Sequence, residues 1–392
     1  MSSLFKGNKE AAGSFTVLEQ AVLTRKTLRV VCVGAGYSGL TLAHKVQHEC
    51  QLEDHINLTI YEKNADVGGT WFENTYPGVA CDIPAHAYTF LFEPNPNWSK
   101  FYAPGPEIQA YIKRTAVKYE LAKHIAFDSK VVETRWDQGS GKWKIKVEQD
   151  GIVKEDEAEI LVNASGFLNG NGPRLKVSVN SRGSSCTAPN GKRIGVRTAD
   201  GEEDFDIIVC ATGFDTSFIP PWKLVGLNGA ILEDRWKVNP DAFFSVQVDG
   251  MPNYFIFNGP NGVISHGSIL AQVSWVCDYI LRCAKKIATQ DLKSITPKAQ
   301  AVADFNVYSQ EFLRRTVWAD NCRSWYKNGK ETGIVTGTYA GSILHFKDVL
   351  ENIGDEHFDV VSNNKNVFKW LGNGQSLHDK DGTGDLAYYM KE

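Results

Sequence analysis

The sequence predicts an α/β fold: a parallel sheet backed by helices, crossed by a small β-meander and followed by a helical C-terminal part. Three observations carry this. A strand, a glycine-rich turn, a helix and a second strand follow one another between Leu28 and Glu62. Three short segments of strand character lie between Val131 and Glu157, separated by glycine turns. Two long amphipathic stretches, Ser268–Ala288 and Ala299–Thr316, have helical spacing.

In chain order, residues 1–25 read as a loose N-terminal arm. Leu28–Val33 is an apolar run that breaks into Gly34-Ala35-Gly36-Tyr37-Ser38-Gly39. Leu40–Cys50 is helical in pattern, and Ile56–Tyr61 alternates like a strand and ends in Glu62. This is the βαβ unit. Residues 68–110 are rich in Gly, Pro and aromatics and read as a long structured loop region; Glu107–Leu121 is helical in pattern. Val131–Trp136, Trp143–Glu148 and Ile152–Glu157 form the meander, with turns at Gly139-Ser140-Gly141 and Asp150-Gly151. Glu159–Val162 is a strand running into Asn163-Ala164-Ser165-Gly166-Phe167. Residues 168–193 have loop composition, with Leu175–Val179 as a short strand. Ile194–Thr198, a turn at Asp200-Gly201 and Asp206–Ala211 resume regular structure.

Composition narrows the function. Hydrophobic residues at 42% and charged residues at 22% place the chain among globular proteins and exclude wholesale disorder. A net charge of −4 gives no basic footprint, so no nucleic-acid partner is expected. No apolar run approaches the ~20 residues of a spanning helix, and no secretory leader opens the chain, so a cytoplasmic location without membrane association is expected. The eight cysteines include no CxxC pair, which fits a reducing compartment. Ten tryptophans serve either core filling or a flat ligand.

The glycine turn sits where a dinucleotide requires it. Gly34 permits the tight turn, Gly36 lets backbone approach a pyrophosphate, and Gly39 lets the helix pack on the sheet. The helix N-terminus faces the phosphates. Glu62, 23 residues past Gly39, can accept both ribose hydroxyls and repels a 2′-phosphate, which favours FAD or NAD over NADP. His44 and His48 have zinc-compatible spacing, but no third ligand is evident; both read as a solvated helix face, and no metal is expected.

Val67-Gly68-Gly69-Thr70-Trp71, the run Asn74–Asp82 and Tyr88 resemble the segment beneath the flavin in flavin-containing and Baeyer–Villiger monooxygenases. Asn163–Phe167 and Cys210–Asp215 are similar to that superfamily's strand-ATG pattern. Asn95–Ser99, Tyr102–Ile108, Pro252–Phe255, Gly259–Gly262, His266–Ser268, Asn321–Lys327 and Leu371–Gly374 extend the likeness to the fungal type of secondary metabolism. The resemblance implies a glutathione-reductase-type, FAD-binding Rossmann-like domain. It also implies FAD contacts at Gly34, Gly36, Tyr37, Ser38, Gly39, Glu62, Lys63, Gly69, Thr70, Trp71, Asp82, Tyr88, Val131 and Gly166, with Asn261–Ile264, Asn261 and Val263 among them, beside the pyrimidine end. The domain would be discontinuous, 26–170 and 190–290, with 291–392 packing on it and walling off a pocket.

One departure is large. The family inserts a second Rossmann unit, which binds NADPH, before the returning Thr198-Ala199-Asp200-Gly201 segment. Only about 30 residues separate Gly166 from Thr198 here, too few for a domain of about 100 residues. Residues 171–189 read as a short linker in its place, and no second GxGxxG occurs. Three readings stay open. The chain is a redox flavoenzyme reduced by its substrate, by free NAD(P)H or by a separate reductase; or a non-redox cyclase, dehydratase or isomerase that keeps FAD; or an inactive, flavin-loaded partner subunit. A mid-sized polyketide-like or aromatic substrate is implied by the resemblance. Candidate catalytic groups are Asp82, its pKa raised by burial, together with His266 and His86. Asp82 and His266 also have plain structural readings, as a backbone-bonded carboxylate and a helix-start polar residue; His86, two residues before Tyr88, could face the pocket.

Overall fold

The computed structural model describes residues 15–167, 194–198, 201–205, 213–263, 267–385 and 387–390. The expected strands 175–179 and 206–211 and the linker 171–189 lie outside them. The central sheet takes β1 (Leu28–Val33), β2 (Ile56–Tyr61), β3 (Ile125–Ala126), β7 (Ile160–Asn163) and β11 (Tyr254–Ile256), in the order β11-β7-β1-β2-β3 with every pair parallel. The βαβ unit follows the sequence closely. Its helix α1 spans Tyr37–His44, opening at Gly36 rather than at Leu40, and runs on as a π turn over Lys45–Glu49.

The period of two along β1 sorts its side chains onto opposite faces. Leu28, Val30 and Cys32 enter a core shared with α1 and α5 (Ile269–Thr289). Val31 and Val33 enter a second core built on the meander β4 (Lys130–Asp137), β5 (Lys142–Gln149) and β6 (Ile152–Ala158). Both faces of the sheet are thus covered, as parallel sheets require. Trp143 is fully buried in the second core, edge-on to Trp136, and donates its indole N–H to the Pro252 carbonyl at 2.8 Å. A short strand, β10 (Lys223–Val225), pairs in parallel with β4 and makes the meander four-stranded. The pair β8 (Ile194–Thr198) and β9 (Gly201–Phe205) forms an antiparallel hairpin.

Among the described residues the other α-helices are α3 over Gly105–Lys118, α6 over Ala299–Leu313 and α7 over Ile343–Asn352, with the short α2 (Thr70–Glu73), α4 (Leu232–Trp236) and α8 (Leu377–Asp381). The C-terminal region also contains β12 (Leu292–Pro297) and β13 (Phe358–Ser362), an antiparallel pair. Phe346, Leu350 and Phe358 join the same core as Leu28. The expected loose arm is held from Gln20 onward: Asn373 N–H donates to the Gln20 carbonyl and Val22 N–H to the Gln375 carbonyl, with Ala21 buried between. No helix of the described residues is long and apolar enough to cross a membrane.

Candidate functional site: a cleft at the carboxyl ends of the parallel strands

Each central strand ends in a segment that lines one cleft of about 750 Å³. Gly34–Ser38 follow β1, Glu62–Asn64 follow β2, Ala164–Phe167 follow β7, and Asn258 lies two residues past β11. This is where ligands lie in open α/β sheets. The turn after β1 has no slack. Gly34 has φ +108°, and a Cβ there would stand 2.5 Å from the Ala164 carbonyl oxygen. A Cβ on Gly39 would strike the Gly34 carbonyl, so that glycine seats α1 on the turn and lies beneath the cleft rather than in its wall. Gly36 differs: its hypothetical Cβ would meet only Gly69, Cα at 3.6 Å and N at 3.9 Å, both ordinary contacts. The first turn of α1 has no side-chain cap. Its N–H groups and helix dipole therefore suit an anion.

Glu62 is buried, with one carboxylate oxygen accepting from Ala35 N–H at 2.8 Å and the other from Asn64 N–H at 2.9 Å. Burial pushes its carboxyl above the usual range, and the two N–H donors partly offset that. The two bonds lock the carboxylate while leaving lone pairs free for hydroxyl donors. Lys63 pairs with Glu73 at 2.7 Å, and Asn64 donates to the same Glu73 oxygen at 3.0 Å. Ser129, Lys130, Val131, Pro221 and Trp222 wall this end.

Beyond the turn the lining becomes aromatic and apolar. Tyr37 and Tyr88 meet edge-on at 5.2 Å, and Trp71 donates its indole N–H to the Tyr88 hydroxyl at 3.2 Å. Burial pushes the Tyr88 phenol up to about 12 and Tyr37 up as well, so both stay protonated at neutral pH. Ile269, Leu270 and Val273 from α5 close the apolar side. Phe167, at the rim, stacks on Trp325 (5.8 Å, 26°) and lies 5.6 Å from Phe218; Trp325 in turn stacks on Tyr326 at 4.0 Å.

Of the residues singled out in the sequence, Gly34, Gly36, Tyr37, Ser38, Glu62, Lys63, Gly69, Thr70, Trp71, Tyr88, Val131 and Gly166 all line this cleft. Asp82 does not line it and is exposed, where burial was expected. His86 is exposed, its Nε2 3.2 Å from the Pro96 carbonyl. His266 lies outside the described residues, as does Ile264. Asn261 and Val263 are turned to the C-terminal segment: the Asn261 amide donates to the Val335 and Thr338 carbonyls, and Val263 N–H to the Gly337 carbonyl. His44 is buried rather than solvated, stacked on Phe92 at 3.5 Å, while His48 is exposed. Among the described residues no group of His, Cys, Asp or Glu is placed to hold a metal. Sequence reasoning passed over Ser129, Lys130, Pro221, Trp222 and Asn258, which belong to no motif. The Ser268 cap, which accepts from Leu270 N–H at 3.3 Å, was the available signal for the α5 residues.

Residues 32–104 match the model of an NAD(P)-binding Rossmann-like domain. The FAD-binding monooxygenase tazF of Aspergillus terreus is 36% identical over 534 aligned positions, which take in 94% of this chain and 95% of that protein. The FAD-binding monooxygenase stcW of Emericella nidulans is 26% identical, over 91% of this chain and 87% of its own. Two solved structures have the same fold. Cyclohexanone monooxygenase from Rhodococcus sp. Phi1 bound to NADP+ superposes with a TM-score of 0.71 at 16% identity, over 86% of this chain and 100% of that one. OTEMO in complex with FAD and NADP gives 0.72 at 14%, with the same coverage.

Proposed function

The chain belongs to the FAD-binding monooxygenase family, and from that premise we propose that it oxidises a mid-sized polyketide-like or aromatic metabolite in Baeyer–Villiger fashion without an NADPH domain of its own. The residues present fit FAD. Gly36 and Gly69 leave a cradle that a side chain would fill, and the buried Asn258 Oδ1 is without a partner on the cleft wall. In this reading Glu62 and Lys63 hold the adenosine ribose, and the turn from Gly34 to Gly39 with α1 holds the pyrophosphate. Trp71, Thr70, Gly69, Tyr37 and Tyr88 hold the ring end. FAD, when bound, supplies the redox chemistry of the family.

The protein's own part is binding, orientation and exclusion of water. Protonated Tyr88, whose oxygen accepts from Trp71, keeps its O–H to donate at neutral pH, while Tyr37 spends its own on the Tyr88 carbonyl; Ile269, Leu270 and Val273 keep solvent from the same wall. Asp82, exposed and outside the cleft lining but near enough to Tyr88 and Tyr326 to act on both electrostatically, is the proposed acid or base on substrate. Phe167 on the cleft wall, backed by the stacked rings of Trp325 and Tyr326, favours a flat substrate.

Two observations support the reading that the chain has no NADPH domain. The alignment with the Aspergillus terreus relative spans 534 positions, more than the 392 residues of this chain, so over a hundred positions of the relative have no counterpart. Between Asn163, which ends β7, and Ile194, which opens β8, there are only about 30 residues. Reducing equivalents then come from free NAD(P)H, from substrate or from a separate reductase. The test is anaerobic addition of NADPH to the purified holoprotein, followed at the flavin band. Reduction that is slow and does not saturate supports the proposal; fast reduction saturating at micromolar NADPH overturns it. Incubation with aromatic polyketide ketones and a chemical reductant in air should give products one oxygen heavier. Products of unchanged mass would instead indicate non-redox turnover.

A further inference from the structure

We propose that Asn258 is a positioning residue for the cofactor, its side-chain amide holding the ribityl chain of FAD; the inference rests on the cleft being the FAD site. Asn258 Oδ1 is buried and makes no hydrogen bond, yet its residue lines the cleft beside Ala164–Gly166 and the start of α5. A buried polar atom without a partner is costly and rare in a native protein. Of the eight such atoms among the described residues, this is the one whose residue lines the cleft, so the group that answers it enters with a ligand.

The order of the strands says which part of the ligand. Along the sheet the neighbours run β2, β1, β7, β11. Glu62 follows β2, the phosphate turn follows β1, Ala164–Gly166 follow β7, and Asn258 comes after β11. Asn258 thus stands three strand spacings, roughly 14 Å, from the ribose acid. A dinucleotide that starts at Glu62 and crosses the pyrophosphate at α1 brings its ribityl chain to this edge. The chemistry agrees. Phosphate oxygens only accept, whereas ribityl hydroxyls donate and accept and so satisfy an amide in either of its flipped orientations.

The backbone that carries the amide is held still. Asn258 has φ +52°, a left-handed conformation that Asn tolerates well. Phe257 N–H donates to the Asn163 carbonyl and Gly259 N–H to the Ser245 carbonyl, clamping the turn on both sides. With the turn already fixed, only the side-chain torsions remain to be ordered on binding.

The test uses the full chain freed of flavin. Asn258→Gly keeps the left-handed backbone without strain, and Asn258→Ala is the second variant; thermal unfolding of both apoproteins checks the fold. FAD affinity, read by quenching of flavin fluorescence, is expected to fall about tenfold in both variants, with ADP affinity unchanged. FAD analogues lacking one ribityl hydroxyl in turn supply the decisive arm. One analogue should bind wild type about tenfold more weakly than FAD does, and bind Asn258→Gly no more weakly than FAD does. Equal FAD affinity in wild type and both variants overturns the inference, as does an equal analogue penalty with and without the amide. Wild type that takes up neither FAD nor ADP would instead fail the cleft as a cofactor site.

Discussion

At the scale of single residues, two glycines of one turn separate folding from binding. Gly34 combines φ +108° with a hypothetical Cβ 2.5 Å from the Ala164 backbone oxygen, so Gly34→Ala must strain its own backbone and push β7 away from β1. Strain of this kind costs about 1–3 kcal/mol before the clash is counted. Gly36→Ala meets only the backbone of Gly69, at an ordinary 3.6 Å and beyond, and its methyl projects into the cleft. The expected outcome is a lowered Tm for the first apoprotein. The second should keep its apoprotein Tm but lose at least about tenfold in FAD affinity, because the pyrophosphate can no longer approach the backbone. Equal Tm losses in both would show that the turn acts as a structural unit only. Glu62 carries a pH dependence of binding. Ribose hydroxyls donate best to the ionised carboxylate, and burial has raised the pKa of this one. On acidification Glu62 takes up its proton at a higher pH than an ordinary glutamate would. FAD release, followed by fluorescence, should therefore begin above the usual carboxylate range, and Glu62→Gln should bind weakly with a flatter pH profile. A wild-type affinity constant from pH 7 down to 4.5 would contradict this role.

At the scale of elements, α1 is anchored by a histidine that the sequence disguised. The spacing of His44 and His48 marks one helical face, but spacing does not say whether that face meets water. Here Phe92 and Tyr119 cover His44, ring centroids 3.5 and 4.8 Å away. Burial first, then the neighbouring His48, holds its pKa down to about 4, with Glu49 pulling the other way. The unfolded chain titrates this group near the ordinary value of about 6.5. Below that pH the unfolded state binds a proton the folded state refuses, so stability present above pH 6.5 drains away as pH falls toward 4. Tm measured across that window should fall in the wild type and fall less in His44→Leu; parallel curves would refute the assignment. Elements with strong local signals were readable beforehand. β1, β2 and the meander strands lie within a residue or two of their expected bounds because alternation and glycine turns are local. β10 and β11 escaped notice because three residues each carry no period, and only their partners β4 and β7 make them strands. The same holds for β12 and β13, which pair across some 60 residues of intervening chain. In the cleft, the motif glycines and Glu62 were legible, whereas Trp222 and Asn258 arrive there by tertiary packing alone.

For the whole molecule, the cleft is the seam between two cores. Its glycine turn, Tyr37 and the α5 residues belong to the helical side, and Val33, Val131 and Trp222 belong to the meander side. A ligand that spans this seam contacts both, so its binding free energy stabilises them together rather than one at a time. The linkage is RT ln(1 + [L]/Kd), about 2.7 kcal/mol when free FAD is a hundredfold above its Kd. In a chain of this size that corresponds to a Tm rise of at least a few degrees. Calorimetry of apoprotein against increasing FAD should show one transition moving upward throughout, with Trp143 in the meander core and Trp275 on α5 reporting the same midpoint when each is followed as the remaining local fluorophore. If the two cores melted separately and FAD moved only the α1–α5 half, the cofactor would be bound by the glycine turn alone. The contribution of Val131 and Trp222 would then be reduced to packing. Coincident midpoints that rise with the logarithm of FAD concentration would mark the cofactor as the third member of the core, joining what the sheet keeps apart.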